Sequence, residues 1–260
     1  MDPEPNDIVA FNREAWDRVA DAGDKYYRAM TPQQVSDART DDKWKIRITP
    51  TKAVPREWLE PLADKKVLLL AGGGGQQSPI LAARGAEVTV FDLSQKQLQR
   101  DIEIADREGF KIETVSGDMA DLSMFENETF DLVLNPCSVC YVADVVPIWK
   151  EVYRVLKSGG TFVTGVINPV HYIFDAVEMD RGNLQVRHRI PYSDADLGEE
   201  QEDIIGDVRP REFGHSLADL LGAQLTAGFQ LIDFYEDGWG GGDKLSSHIA
   251  TFFATRSLKT

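Results

Sequence analysis

The stretch KVLLLAGGGGQQ at residues 66–77 decides the fold, because it joins a short apolar run to four consecutive glycines. An apolar run of this length is typical of a central parallel strand that is buried on both faces of its sheet. Glycine has no side chain to pack and loses much conformational entropy on folding, so four glycines are a poor choice for a core element. The loop therefore indicates a place where a ligand approaches the backbone closely.

Apolar strands and amphipathic helices alternate after this loop. Strands are predicted at residues 66–71, 87–92, 111–118, 130–135 and 160–168, and helices at residues 77–84, 94–109 and within 144–160. A further helix within residues 216–229 precedes two strands at 230–237 and 248–256. Strands that alternate with helices, followed by a closing hairpin, predict a doubly wound α/β fold with a seven-stranded, mostly parallel sheet.

Four segments are expected on this basis. Residues 1–63 form an N-terminal cap that includes a helix with apolar spacing over residues 7–20, and residues 64–168 form the ligand-binding core. Residues 169–215 interrupt the alternation with prolines and an acidic run, which predicts an inserted lid. Residues 216–260 return a helix and a hairpin to the core sheet.

Composition excludes several classes of protein. The 260 residues carry a formal net charge of −15, which repels the phosphates of nucleic acids and anionic membranes. No apolar stretch reaches the ~20 residues that span a bilayer, and the acidic N-terminus is unlike a signal peptide. We expect a cytoplasmic protein whose partner is a small molecule, with neither nucleic acid nor membrane bound.

The two cysteines, Cys137 and Cys140, have the C-x-x-C spacing of a redox pair or of half a metal site. No second pair of ligands at metal-binding spacing accompanies them. We expect no metal, and two small residues in the loop that follows a strand.

Glycine or polar residues follow four successive predicted strands: Gly72, Gly73, Gly74 and Gly75; Asp92; Gly117 with Asp118; and Asn135. Ligands of open α/β sheets bind beyond the carboxyl ends of the strands, where the strand order reverses. Asp92 is placed to accept hydrogen bonds from ribose hydroxyls, or alternatively to cap the next helix in competition with Ser94. Asp118 is placed to bind an adenine amino group beside Met119, or alternatively to cap a turn.

The glycines do not fit a dinucleotide fingerprint. G-x-G-x-x-G requires a third glycine where this chain has Gln77 or, in the other register, Ser78. A P-loop lysine is also missing. Both departures favour a nucleoside cofactor without a pyrophosphate.

The ordered motifs resemble those of class I S-adenosylmethionine-dependent methyltransferases. The resemblance rests on VLLLAGGGGQQSPILAARGAEVTVFDLS (67–94), SGDMADL (116–122), FDLVLN (130–135) and VYRVLKSGGTFV (152–163). It implies a Rossmann-like seven-stranded sheet with an antiparallel last strand, and S-adenosylmethionine as cofactor. One departure stands at Leu69, where the family often has an acidic residue.

The resemblance also implies roles for individual residues. The four glycines would line the methionine and ribose moieties with Gln76 at the edge, and Asp92 would bind the ribose hydroxyls. Leu93, Asp118 and Met119 would contact the adenine. Asn135 and the loop as far as Ser138 would face the reactive sulfonium.

Methyl transfer to an acceptor that must lose a proton needs a base. The candidates for the catalytic group are His171 and Tyr172, which follow the fifth predicted strand, and His215, which precedes the next helix. For each histidine the alternative is a capping or surface role. Aromatic candidates for the acceptor site are Tyr27, Trp44, Tyr141 and Tyr192.

The sequence predicts a methyltransferase that acts on a small molecule by in-line displacement. An NAD(P)-binding oxidoreductase shares the fold and Asp92, but it would need the third glycine. A non-catalytic protein that binds S-adenosylmethionine for regulation would carry the same cofactor motifs.

Overall fold

The computed structural model describes residues 5–22, 28–40, 44–197 and 209–260. Nine strands are present in this part of the chain: β1 (Lys66–Leu70), β2 (Glu87–Asp92), β3 (Ile112–Ser116), β4 (Phe130–Asn135), β5 (Leu156–Ile167), β6 (Tyr192–Ser193), β7 (Phe213–Gly214), β8 (Phe229–Asp237) and β9 (Phe252–Lys259). The α-helices are α1 (Pro5–Ala22), α2 (Pro32–Thr40), α3 (Ser78–Ala83), α4 (Gln95–Glu108), α5 (Val146–Val155), α6 (Ala176–Asp180) and α7 (Ala223–Ala227).

Seven of the strands form one sheet in the order β3-β2-β1-β4-β5-β9-β8. The first five in the chain pair in parallel, whereas β9 runs antiparallel to both β5 and β8. The predicted doubly wound sheet with its closing hairpin is confirmed. Because the chain builds outward from β1 in both directions, the strand order reverses between β1 and β4, and this is where such sheets bind ligands.

Strand β1 is buried on both faces, as its continuous apolar sequence predicts. Val67 and Leu69 pack into one core cluster, and Leu68 and Leu70 pack into the cluster on the opposite face. Helices α3 and α4 contribute to the first cluster and α5 to the second. The sheet is therefore covered on both sides, and its carboxyl edge stays available for a site.

The predicted N-terminal cap does not have a core of its own in the described residues. Trp44, Ile46 and Trp58 belong to the same cluster as β1, and the indole of Trp58 donates to Asp233 of β8 at 2.8 Å. Residues 44–62 thus complete one face of the main sheet.

Strand β5 begins earlier than the sequence predicts. The sequence predicts a helix within residues 144–160 and a strand from residue 160, but α5 ends at Val155 and β5 starts at Leu156. Leu156 pairs with Phe130 and Thr161 pairs with Leu132, so residues 157–160 form an irregularity inside the strand. Glycines 159 and 160 serve this bulge, where Gly159 has a φ of 76°.

The C-terminal elements also differ from the prediction. The ladders of β9 with β5 and with β8 both end at Phe252, so the strand starts there and not at residue 248. The helix that precedes β8 begins as a π-turn over Ala218–Gly222 and continues as α7. At the start of this helix, the hydroxyl of Ser216 accepts from the amide of Asp219 at 3.1 Å.

The region predicted as a lid contains short elements outside the main sheet. Strands β6 and β7 pair in a separate two-stranded sheet, and a 3₁₀ turn over Pro169–Ile173 follows β5. Residues 198–208 of this region lie outside the described residues. No helix in the described ranges is both long enough and apolar enough to span a membrane.

Candidate active site

A cavity of about 320 Å³ lies at the carboxyl ends of β1, β2 and β4. Its floor is made by the loops that follow these strands and β3, and α1 lies across it as a roof. The roof contributes Ile8, Val9, Asn12 and Trp16. This is the location that the reversal of strand order predicts for a ligand.

Eight of the residues predicted to bind the cofactor line this cavity: Gly72, Gly73, Gln76, Asp92, Leu93, Asp118, Met119 and Ser138. Three others, Gly74, Gly75 and Asn135, do not. The sequence motifs after β1, β2 and β3 therefore lie around one cavity.

The glycine loop is tightly packed from behind. A Cβ atom on Gly72 would lie 2.6 Å from Cγ of Leu69, which is fully buried in β1. Gly75 has a φ of 69°, and a Cβ there would lie 2.4 Å from the end of Ile104. Gly72 thus lets the backbone border the cavity, whereas Gly75 lets the loop turn against α4.

Asp92 connects the glycine loop with the start of α4. Its carboxylate accepts from the amides of Gly73 and Ser94, each at 2.9 Å. Ser94 is the N-cap of α4, since its hydroxyl accepts from the amide of Gln97, so Asp92 is not needed for that role. Burial raises the pKa of Asp92 to about 6, although both amides oppose the shift.

Asp118 both lines the cavity and orders a turn. Its Oδ1 accepts from the amide of Ala120 at 3.0 Å, and its carbonyl accepts from the amide of Asp121. The sequence left open whether Asp118 binds an adenine amino group or caps a turn, and this geometry is compatible with both. Met119 and Ala120 add apolar wall beside it.

The side chain of Asn135 is fully buried and does not border the cavity. Its Nδ2 donates to the carbonyl of Leu70 and to the hydroxyl of Ser138, both at 2.8 Å, and its Oδ1 accepts from Thr164 at 2.9 Å. These bonds join the ends of β1, β4 and β5. The geometry gives Asn135 a structural task in place of the predicted contact with the sulfonium, and Ser138 next to it borders the cavity.

Cys137 borders the cavity, while Cys140 is buried behind it, and both thiols are free. Burial raises the pKa of each thiol far above its usual value, and the charge of Glu212 raises it further. Because the thiolate is the reactive form, this environment does not favour redox chemistry or metal binding.

The three residues predicted as catalytic candidates do not border the cavity. The hydroxyl of Tyr172 donates to Glu212 at 2.9 Å, and Nε2 of His215 lies 3.1 Å from the carbonyl of Val139. His171 packs edge-on against Tyr172. Burial lowers the pKa of both histidines, so each is held neutral at the ordinary pH of a cell.

Of the aromatic residues predicted for the acceptor, Tyr141 borders the cavity. Its ring meets Trp16 of the roof edge-on, with centroids 4.9 Å apart. Trp44 is buried in the first core cluster and Tyr192 stacks on Tyr172, so neither reaches this space. Tyr27 lies outside the described residues.

Sequence reasoning missed the roof, the buried carboxylate of Asp101 and the half-buried Glu212. Asn12 fixes the roof, because its side chain bonds to the carbonyl of Tyr141 at 2.9 Å and to the amide of Arg211 at 2.7 Å. Asp101 lies under the glycine loop, and Glu212 lies behind the cysteines, where burial raises its pKa to about 7. A signal existed for Asp101, which is a charged residue on the inward face of α4 between Leu98 and Ala105.

Comparisons with known proteins agree with this geometry. Residues 68–164 match the family model of a methyltransferase domain. The Bacillus subtilis (strain 168) protein called uncharacterized methyltransferase YbaJ is 46% identical over 256 residues, which cover 98% of this chain and 99% of that protein.

Solved structures share the fold. A putative S-adenosylmethionine-dependent methyltransferase from Listeria monocytogenes gives a TM-score of 0.62 at 19% identity, covering 79% of this chain and 94% of that one. The 1,6-didemethyltoxoflavin-N1-methyltransferase of Burkholderia thailandensis, solved with bound 1,6-didemethyltoxoflavin and S-adenosylhomocysteine, also gives a TM-score of 0.62, at 14% identity over 99% of this chain and 91% of that one.

This chain belongs to the class I S-adenosylmethionine-dependent methyltransferases. The predicted family, fold and enzyme class are thereby confirmed, and with them the cofactor of the class. The comparisons favour neither the oxidoreductase nor the purely regulatory alternative.

Proposed function

We propose that this protein transfers the methyl group of S-adenosylmethionine to a small organic acceptor by in-line displacement. The observation that carries the proposal is the convergence of Gly72, Gly73, Asp92 and Asp118 on one cavity beneath α1. The cofactor supplies a methyl group on a positively charged sulfur, which is already activated for transfer to a nucleophile.

The residues that line the cavity fit this cofactor. Asp92 uses part of its carboxylate to accept from Gly73 and Ser94, and a carboxylate has further lone pairs for the two ribose hydroxyls. Leu93 and Met119 would flank the adenine, and Asp118 would accept from its amino group. Gly74 and Gly75 would support the loop from behind, since they do not border the cavity.

The walls suit an acceptor without phosphate groups. None of the described residues that line the cavity is lysine or arginine, and its charged residues are Asp92, Asp118 and Asp144. An anionic acceptor would therefore meet like charge, while the ring pair of Trp16 and Tyr141 offers an aromatic wall to a neutral or cationic one.

Catalysis by this arrangement would rest on alignment and on exclusion of water. The roof would exclude water, since Ile8, Val9 and Trp16 cover the cavity with apolar surface. The positions of His171, Tyr172 and His215 provide no base at the cavity wall. An acceptor that is already a good nucleophile without losing a proton, such as a neutral amine, would need none.

The test is calorimetric titration of the purified protein with S-adenosylhomocysteine and with NADH, followed by transfer of a labelled methyl group to a metabolite panel. We expect micromolar binding of S-adenosylhomocysteine and label in a product that carries no phosphate. Tighter binding of NADH, with none of S-adenosylhomocysteine, would refute the proposal.

A further inference from the structure

Asp101 is a buried carboxylate beneath the glycine loop, contributed by α4. Its Oδ2 accepts from the amide of Gly74 at 2.8 Å, and its Oδ1 accepts from the hydroxyl of Ser78. The side chain has no exposed surface, so its hydrogen bonds compensate the loss of water.

No cation pairs with Asp101 among the residues that the structure describes. The guanidinium of its neighbour Arg100 donates to the carbonyl of Ala20 and to Gln97. The glycine loop is instead held by backbone amides that donate to carboxylates. Such charge-assisted hydrogen bonds are stronger than those between neutral groups.

The two carboxylates divide consecutive amides of the loop between them. Asp92 takes the amide of Gly73, and Asp101 takes that of Gly74, which also lies 3.1 Å from the carbonyl of Gln97 on α4. A shift of Gly74 away from α4 would move Gly73 with it, and Asp92 would lose the partner that fixes its orientation toward the cavity. The position of Asp92 thus depends on a residue that never borders the cavity.

We propose that Asp101 is a positioning residue of the cofactor site, which holds the glycine loop on α4 so that Asp92 faces the cofactor. The proposal rests on the proposed function. An acceptor-only side chain is required here, because a donor faces each of the two carboxylate oxygens, whereas asparagine would offer one oxygen and an NH₂ group of its own.

The two carboxylates also interact electrostatically. The charge of Asp92 raises the pKa of Asp101, and the charge of Asp17 on α1 raises that of Asp92, while Lys96 at the start of α4 is paired with Asp21. Burial is the larger cause for both, and each pKa rises to about 6. Affinity for the cofactor should fall with acidification through this range, as both groups take up protons.

The experiment measures the dissociation constant of S-adenosylhomocysteine by calorimetry from pH 5.5 to pH 8 for four proteins. These are the wild type, Asp101→Asn, Ser78→Ala and the control Asp106→Asn, which neutralises an exposed carboxylate on the same helix. At pH 8 we expect Asp101→Asn to weaken binding about tenfold, and the control to stay within about twofold.

The pH profiles separate positioning from a merely structural role. Asp101→Asn removes one titrating carboxylate and its repulsion of Asp92. The loss of cofactor affinity on acidification should therefore depend less steeply on pH and occur at lower pH. In Ser78→Ala, Asp101 loses a donor that lowers its pKa, so the acid loss should move to higher pH. Opposite shifts in the two variants support the proposal.

Wild-type affinity and an unchanged pH midpoint in Asp101→Asn would overturn the proposal. If that variant does not fold, Ser78→Ala decides alone, and an unmoved midpoint overturns it. Failure of the wild type to bind S-adenosylhomocysteine would instead refute the proposed function.

Discussion

Two regions of the molecule use carboxylate side chains in different ways. In the motif segment (residues 66–138), Asp92 and Asp118 bond to backbone amides and still border the cavity. In the lid segment (residues 169–197 and 209–215), the carboxylates of Glu212 and Asp194 accept from the hydroxyls of Tyr172 and Tyr192. The carboxylates of the motif segment keep lone pairs for a ligand, whereas those of the lid segment bond to tyrosine hydroxyls within the protein.

The difference teaches that burial and a shifted pKa do not by themselves identify a binding residue. Burial raises the pKa of both Asp92 and Glu212, but the cavity reaches only the first. Variants in the two segments should therefore affect different quantities, ligand affinity in one and pH-dependent stability in the other.

The largest effect is expected at Asp92. Asp92→Ala should weaken binding of S-adenosylhomocysteine by ~1–3 kcal/mol, because the ribose hydroxyls and the amide of Gly73 lose their acceptor. Calorimetry measures the change, with Asp106→Ala as the control on an exposed carboxylate. Unchanged affinity would show that Asp92, like Glu212, bonds only within the protein and does not bind the ligand.

The pH dependence of stability should depend on Glu212. Its pKa is raised from an ordinary 4.5 to about 7, so the folded state keeps a proton that the unfolded state releases as pH rises through this window. Folding stability therefore falls with rising pH, by up to about 1.4 kcal/mol per pH unit for one group.

Urea unfolding at pH 5 and pH 7 measures this contribution. Glu212→Gln should lose less stability than the wild type between the two values. Tyr172→Phe should lose more, because the tyrosine hydroxyl lowers the pKa of Glu212. Equal losses in all three proteins would contradict the assignment.

A smaller effect is expected at the roof. Trp16→Ala removes the ring that borders the cavity and packs on Tyr141, and should weaken binding of S-adenosylhomocysteine by about 1 kcal/mol. Trp16→Phe should retain most of the affinity. The control is Trp239→Ala, since this tryptophan is 45% exposed and does not border the cavity.

The smallest effect on binding is expected at His171 in the lid segment. His171→Ala should leave the dissociation constant of S-adenosylhomocysteine within about twofold, because the imidazole does not border the cavity. Loss of affinity comparable with that of Asp92→Ala would show that the lid segment contributes to the cofactor site.

Much of the motif segment could be predicted from the sequence, because parallel strands bring their carboxyl ends together by rule. Once β1 to β4 were recognised by their apolar runs, Asp92 and Asp118 had to lie at one edge. Asn135 lies at the same edge, but its amide is used by Leu70, Ser138 and Thr164. Position along a strand predicts where a residue lies, and not which way its side chain points.

The lid segment has no comparable rule. His171 and Tyr172 follow β5 in an irregular stretch without period, so their direction depends on what packs against them, such as Glu212 some 40 residues later. The roof was missed for the same reason. Helix α1 was recognisable by its spacing, but its contact with Tyr141 joins residues 129 positions apart.

The hydrogen bonds of Asn12 also bear on the order of events during synthesis of the chain. This residue leaves the ribosome early, but its backbone partners at Arg211 follow 199 residues later. Domains generally fold from the N-terminus as they emerge, at ~5–20 residues per second. The bonds between α1 and Arg211 must therefore wait tens of seconds, at the slower rates, after α1 is made, whereas the bond from Asn12 to Tyr141 can form earlier.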